Sequence, residues 1–215
     1  MTIGSRAAAI DGLLADYAVG SLPAPLHTLV ASHLAMTQTS HAYVSALEDV
    51  CGAEIEAAEC GFLRNRDQRL AAIFDAAPSA ADDRPARKDD TVPGPLAAYL
   101  GAPIEALRWR TKLPGFRESV IDVRDGLEAS MLWVKAGRQM PRHTHEGAEI
   151  TLVLRGAFSD SSGRYGRGDI VIAESDVDHR PQIDPTEDCI CFVVTDAPLR
   201  LTGPIGRVIS RLFRH

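Results

Sequence analysis

No run of about 18 consecutive apolar residues occurs in the 215-residue chain, so no membrane span is expected. Its opening residues, Met1-Thr2-Ile3-Gly4-Ser5-Arg6, lack a basic segment leading into a long apolar region, so no signal peptide is expected. Cysteine is scarce: four in a chain of this length make no disulfide framework, and the expected compartment is the reducing cytoplasm. There is no excess of basic charge. A formal net charge of -6 argues against direct nucleic-acid binding, which needs clustered Lys and Arg. Internal repeats are also missing. What remains is a chain that is 45% hydrophobic and 24% charged, able to bury a core in one large or two small domains.

The first 76 residues carry helical patterns. Asp11 to Val19 reads as an amphipathic helix stopped by Gly20, and Ser21 as the cap of a second helix with Pro23 near its first turn. Leu26, Leu29, Val30, His33 and Leu34 repeat at helical spacing, and Tyr43, Val44, Leu47 and Val50 extend the pattern. A third helix is expected over Glu54 to Leu63 and a fourth over Asp67 to Ala76, with Leu70, Ile73 and Phe74 facing inward. This half holds four Arg and no Lys against nine Asp plus Glu, so it carries -5 of the net charge. Such a face is commonly just solvated, but it also suits a basic partner protein.

Residues 77–95 change character: four prolines, many charges and almost no large apolar side chain read as a linker. The expected division is a helical domain at 1–76, a linker at 77–95 and a β domain at 96–215. A helical turn is expected at Leu96 to Leu100. Short runs of β-formers follow at Trp109–Leu113, Glu118–Val123, Ala129–Lys135, Glu149–Leu154, Asp169–Ala173 and Cys189–Thr195, separated by Gly, Pro, Asp or Ser, which suggests a sandwich or barrel. Ile205 to Phe213 reads as a short amphipathic tail helix.

The chemistry concentrates in Gly137-Arg-Gln-Met-Pro-Arg-His143-Thr-His145-Glu146-Gly-Ala-Glu149. Positions i and i+2 of a strand share a face, so His143 and His145 can meet one ion, and Glu149 can close on it after a short turn. His179 follows the next strand pattern as a fourth candidate ligand. Neutral imidazoles and one carboxylate suit Zn, Fe, Mn, Ni or Cu better than Ca. The plain alternative is a set of polar surface residues on a hairpin.

The spacing Gly137, five residues, His143, one residue, His145, three residues, Glu149, six residues, Gly156 resembles the first signature motif of the cupin superfamily at every fixed position. Gly168 and His179 sit in the frame of the second cupin motif, with Glu174, Asp176 and Ile183 where Pro, Gly and Asn are usual. The resemblance implies an α+β protein in two domains: an N-terminal all-α helical bundle and a C-terminal all-β cupin, a double-stranded β-helix or jelly-roll barrel. It implies one divalent ion on His143, His145, Glu149 and His179, with zinc expected and Fe, Mn or Ni as alternatives.

The two-part layout is similar to that of the ChrR-type anti-sigma factors. The similarity is carried by the cupin core, Leu13 to Gly20, Ala106 to Arg110, Asp188 to Cys191, and Thr195 to Arg200. It implies that the helical half clamps an extracytoplasmic-function (ECF) sigma factor, and that the cupin regulates this in response to singlet oxygen or related oxidants. The zinc-type anti-sigma pattern is His, three residues, Cys, two residues, Cys, with another His upstream. Here His33 is followed by Thr37 and Ser40, and the upstream position falls near Ala8. Hydroxyls are poor zinc ligands beside thiolates, so no zinc is expected in the helical half, and His33 is expected to be a partly buried core or interface residue. His27 and His41 lie on the same helical pattern, and His41, about 12 Å from His33 along a helix, is too far to share an ion with it. Cys189 and Cys191 share one face of a strand and read either as small core residues or as an oxidation-sensitive pair. Cys51 and Cys60 read as helix-packing residues.

Two functions follow. A non-enzymatic anti-sigma factor explains the acidic helical half, the linker and the metal motif together. A metal-dependent cupin enzyme, a dioxygenase or isomerase with Arg142, Glu146 and Tyr165 near the metal, leaves the helical half unexplained.

Overall fold

The computed structural model describes residues 3–76, 91–141, 143–145, 147–173, 180–197 and 199–201. Four helices open the chain: α1 (Ile3–Ala18), α2 (Ala24–Met36), α3 (His41–Ala57) and α4 (Arg66–Asp75). Gly20, at φ 71, ends the first. Pro23 is the residue before α2, and Ser21 instead returns its hydroxyl to the Asp16 carbonyl at 3.0 Å, so the expected cap at Ser21 is corrected. The pattern running from Leu26 to Val50 is not one helix. Thr37 is extended, at φ -142 and ψ 152, and α3 restarts at His41. It then continues to Ala57, so the separate helix expected over Glu54 to Leu63 does not form.

A fifth helix, α5 (Gly94–Leu100), ends at Gly101 and is longer than the single turn expected from Leu96. It begins within the stretch read as linker, of which residues 77–90 lie outside the described residues. A short 3-10 turn, Ile104–Ala106, leads into the strands: β1 (Arg110–Leu113), β2 (Phe116–Arg124), β3 (Leu127–Val134), β4 (His143–His145), β5 (Glu149–Arg155), β6 (Ala157–Asp160), β7 (Gly163–Gly166), β8 (Ile170–Ala173), β9 (Gln182–Ile183), β10 (Cys189–Thr195) and β11 (Leu199–Leu201). The expected strands are found within a few residues, and β10 has the expected ends. The tail helix expected at Ile205 to Phe213 lies outside the described residues. Among the described residues no helix is long and apolar enough to cross a membrane.

A six-stranded antiparallel sheet runs β1-β2-β3-β10-β5-β8, beside a three-stranded sheet β7-β6-β9 and a pair β11-β4. Alternation divides the large sheet into two apolar faces. On one, Phe158 of β6 and Ile183 of β9 pack on Val153, Val171, Cys189, Cys191 and Val193, which closes the interior between two sheets. The other carries Met131, Leu152, Leu154, Ile170, Ile172, Ile190, Phe192 and Val194, and these form one cluster with Leu13, Leu14, Leu29, Val30, Val44 and Leu96 of the helices. The outer face of the sheet is thus covered by α1, α2 and α5, and the two halves share a core. Phe192, Leu29, Leu96 and Met131 are among its fully buried members. Each such side chain contributes about 1.5–3 kcal/mol through burial. Tyr99 of α5 adds a polar tie, donating to Asp122 of β2 at 3.3 Å, with its ring edge-on to Phe192.

Candidate functional site

β4 and β5 carry the histidine–glutamate motif, and the turn between them is held from outside. Asp196 accepts the Ala148 amide at 2.7 Å and returns its own amide to the Ala148 carbonyl. The closing glycine of the motif, Gly156, has φ 70, and a Cβ there would lie 2.6 Å from the Asp188 carbonyl oxygen. Only glycine fits this close approach.

His143 is buried, and its Nδ1 lies 2.8 Å from the Pro141 carbonyl. A carbonyl only accepts, so Nδ1 carries the proton and Nε2 the lone pair. That is the tautomer and second contact of a typical metal-binding imidazole. His145 is the last residue of β4. Glu149 opens β5, opposite Ala173 of β8 and Thr195 of β10, and accepts from the Thr151 hydroxyl at 3.3 Å. The side chain of His145 and the whole of His179, Arg142 and Glu146 lie outside the described residues. Among the described residues no three His, Cys, Asp or Glu come together as a ligand set. Tyr165 packs its ring on Phe158, 5.3 Å between centroids, as part of the apolar interior.

Cys189 and Cys191 are both buried on β10, with their sulfurs 3.6 Å apart. Their surroundings are apolar, in keeping with the core reading. The Cys191 thiol is pushed well above its usual range by its hydrogen bond with Cys189, by burial, and by the charges of Cys189 and Glu149. It is therefore held protonated and poorly nucleophilic.

In the helical half, His33 is a buried interface residue, as expected. Its Nδ1 lies 2.6 Å from the Gly168 carbonyl, so it donates there, and Nε2 accepts from the Ser40 hydroxyl at 2.8 Å. Thr37 turns away, its hydroxyl 2.9 Å from that of Thr39. His41 bonds the Leu34 carbonyl at 2.7 Å, and His27 lies against the Tyr17 ring. The contact to Gly168 had no local signal in the sequence, since its partners lie 135 positions apart.

The region from the end of α3 through α4 differs from expectation. No residue of α4 is buried. Leu70, Ile73 and Phe74 do not face inward: Ile73 is 68% and Phe74 79% exposed, and Ile55, Phe62 and Leu63 are exposed with them. The amphipathic period is present, but nothing within the described residues covers the apolar side. Acidic Glu54, Glu56, Glu59, Asp67 and Asp75 accompany it and are also exposed. An apolar patch of this kind marks an interaction surface.

Residues 100–198 match the family described as ChrR Cupin-like domain. Over 207 residues the chain is 37% identical to the Anti-sigma-E factor ChrR of Cereibacter sphaeroides, covering 95% of this chain and 96% of that one. The crystal structure of Rhodobacter sphaeroides SigE in complex with the anti-sigma ChrR is similar at a TM-score of 0.72 and 36% identity, over 86% of this chain and 96% of that chain.

Proposed function

This chain belongs to the ChrR family of anti-sigma factors, and from that premise we propose that its helical half captures an ECF-type sigma factor and withholds it from transcription. The observation that carries the reading is α4, an amphipathic helix whose Leu70, Ile73 and Phe74 have no cover within the described residues. A helix left in this state fits a groove on another protein. The surplus of acidic side chains in this half suits a partner that presents basic surfaces to DNA and polymerase. The chain itself contacts no nucleic acid in this reading, works in the cytoplasm and catalyses no reaction. Its working division is a helical anti-sigma domain at 1–76, a linker at 77–95 and a cupin at 96–215.

The cupin half is a metal-binding sensor in this proposal, responding to oxidative or singlet-oxygen-like stress. His143, His145, Glu149 and His179 would hold one divalent ion, zinc in the first place and Fe, Mn or Ni otherwise. The tautomer of His143 and the half-buried carboxylate of Glu149 fit such an ion. When bound, the ion would supply a fixed positive centre held by His143, His145, Glu149 and His179. His143 and Glu149 orient their donor atoms through Pro141 and Thr151. The apolar interior, including Phe158 and Tyr165, keeps water from the strands behind them.

Co-expression of the full chain with an ECF-type sigma factor from its own organism tests the reading. A stable 1:1 complex is expected. Absence of any complex, while the cupin half is folded and metallated, would sink it.

A further inference from the structure

We infer that His33 is a polar link that couples the start of α3 in the helical half to the β7–β8 turn of the cupin half. The imidazole is buried and joins three segments. Nδ1 donates to the Gly168 carbonyl at 2.6 Å, and Nε2 accepts from the Ser40 hydroxyl at 2.8 Å. Ser40 immediately precedes α3 and accepts the Val44 amide of its first turn at 3.1 Å. On the other side, Gly168 sends its amide to the Val153 carbonyl of β5 at 2.8 Å. The neighbouring residues hold the same turn, Asp169 accepting the Gly166 amide through its carboxylate and the Val153 amide through its carbonyl. A continuous chain of hydrogen bonds therefore runs from β5, the strand that opens with Glu149, through Gly168, His33 and Ser40, into α3. From there the helix leads to the exposed apolar stretch.

The packing supports a specific joint. Gly168 has φ 92, and a Cβ built on it would rest 3.7 Å from Thr37 and 3.8 Å from Met36, so the end of α2 lies directly against the turn. Only an imidazole at position 33 offers a donor on one side and an acceptor on the other in one rigid ring. Losing it leaves the Gly168 carbonyl without this partner in a buried place, which is costly. Apart from the Tyr99–Asp122 bond at the far end of α5, the cluster that α1, α2 and α5 form with the sheet is apolar and non-directional. His33 adds direction: a shift of the 166–169 turn reaches Ser40 through a ring that cannot bend.

Amide hydrogen exchange on the full chain, without any partner, tests this independently of sigma-factor capture. His33→Asn keeps a donor near the Nδ1 position, whereas His33→Gln moves the amide to the Nε2 end. Loss of the Gly168 bond in His33→Gln should speed exchange roughly tenfold at Asp169, the scale of one buried hydrogen bond. His33→Asn should leave Asp169 protected and loosen Val44. Amides of the β2–β3 hairpin should not change in either variant. The coupling itself is read from Gly168→Ala. In the otherwise native chain it should speed exchange at Val44, and in His33→Gln it should have no such effect. Where Gly168→Ala does not fold, the same cycle is read from the other end, with Ser40→Ala and exchange at Asp169. An equal response in the native and His33→Gln backgrounds would overturn the link.

Discussion

Ser40 closes on His33 through a hydrogen bond of 2.8 Å, a hydroxyl standing where the zinc-type anti-sigma pattern places a thiolate. The two ends of that pattern bond to each other directly. Thr37, at the other thiolate position, pairs with Thr39 and takes no part.

Metal content should therefore depend on the cupin half alone. The full chain is expected to carry one divalent ion, to keep it in His33→Ala, and to lose it in His143→Ala, since hydroxyls do not replace thiolates as zinc ligands. Elemental analysis of the purified variants checks this. Two ions per chain, one of them lost in His33→Ala, would contradict it.

Helices and sheet share a core, so Leu96→Ala should destabilise the whole protein. Leu96 is fully buried on α5, in one cluster with Phe192 and Leu29. Truncating such a leucine costs about 2–5 kcal/mol. Trp109 and Trp133 pack against the same cluster, so fluorescence and far-UV circular dichroism should report one coincident denaturant transition, shifted in the variant. Separate transitions for helix loss and tryptophan exposure would refute a common core.

Removing apolar surface from α4 should weaken partner binding and leave folding alone. Ile73→Ser and Phe74→Ser fall on exposed positions, where stability changes within about 0.5 kcal/mol are usual. An interface anchor of this size contributes about 2 kcal/mol or more, so the dissociation constant for the sigma factor should rise by roughly thirtyfold for Phe74→Ser alone and further for the double variant. Titration calorimetry against melting curves separates the two effects.

Thiol labelling should divide the cysteines. Cys60 is exposed and should be alkylated in the native protein, whereas Cys189 and Cys191 should resist until it unfolds. The hydrogen bond with Cys189, and then burial, push the Cys191 thiol well above its usual range. Mass spectrometry after brief native iodoacetamide treatment gives the order, and early modification of Cys191 would show the strand to be open.

Alkaline pH should loosen α5. Burial first, then the charge of Asp122 and the hydrogen bond to it, raises the Tyr99 phenol from 10.0 to about 12. Its folded value exceeds its unfolded one, so its contribution is complete below pH 10 and is lost as the pH rises towards 12. Tyr99→Phe should flatten the fall in stability across that window. Urea midpoints measured for both proteins at several alkaline pH values test it.

Local features were legible in the sequence because their causes are local. The spacing of His143, His145 and Glu149 between Gly137 and Gly156 pointed to a turn between two strands. Gly156 is glycine because the Asp188 carbonyl passes too close for a side chain. The ends of β10 followed from a run of β-formers between an Asp and an Asp. The family resemblance, carried by stretches along most of the chain, agrees with the relationship to ChrR.

What lay on either side of each element was decided by tertiary structure. A helical period tells that Leu70, Ile73 and Phe74 share a side, but not whether the chain has anything to cover it. The continuous pattern from Leu26 to Val50 concealed a break at Thr37, where an extended residue turns α3 back and brings Ser40 to His33. The proline-rich stretch read as a linker between a helical and a β domain says nothing of how they pack, and α1, α2 and α5 cover the sheet because its outer face is as apolar as its inner one. The bond from His33 to Gly168 spans 135 positions. Spacing and composition report on neighbours along the chain, and only the folded structure brings distant donors and acceptors together.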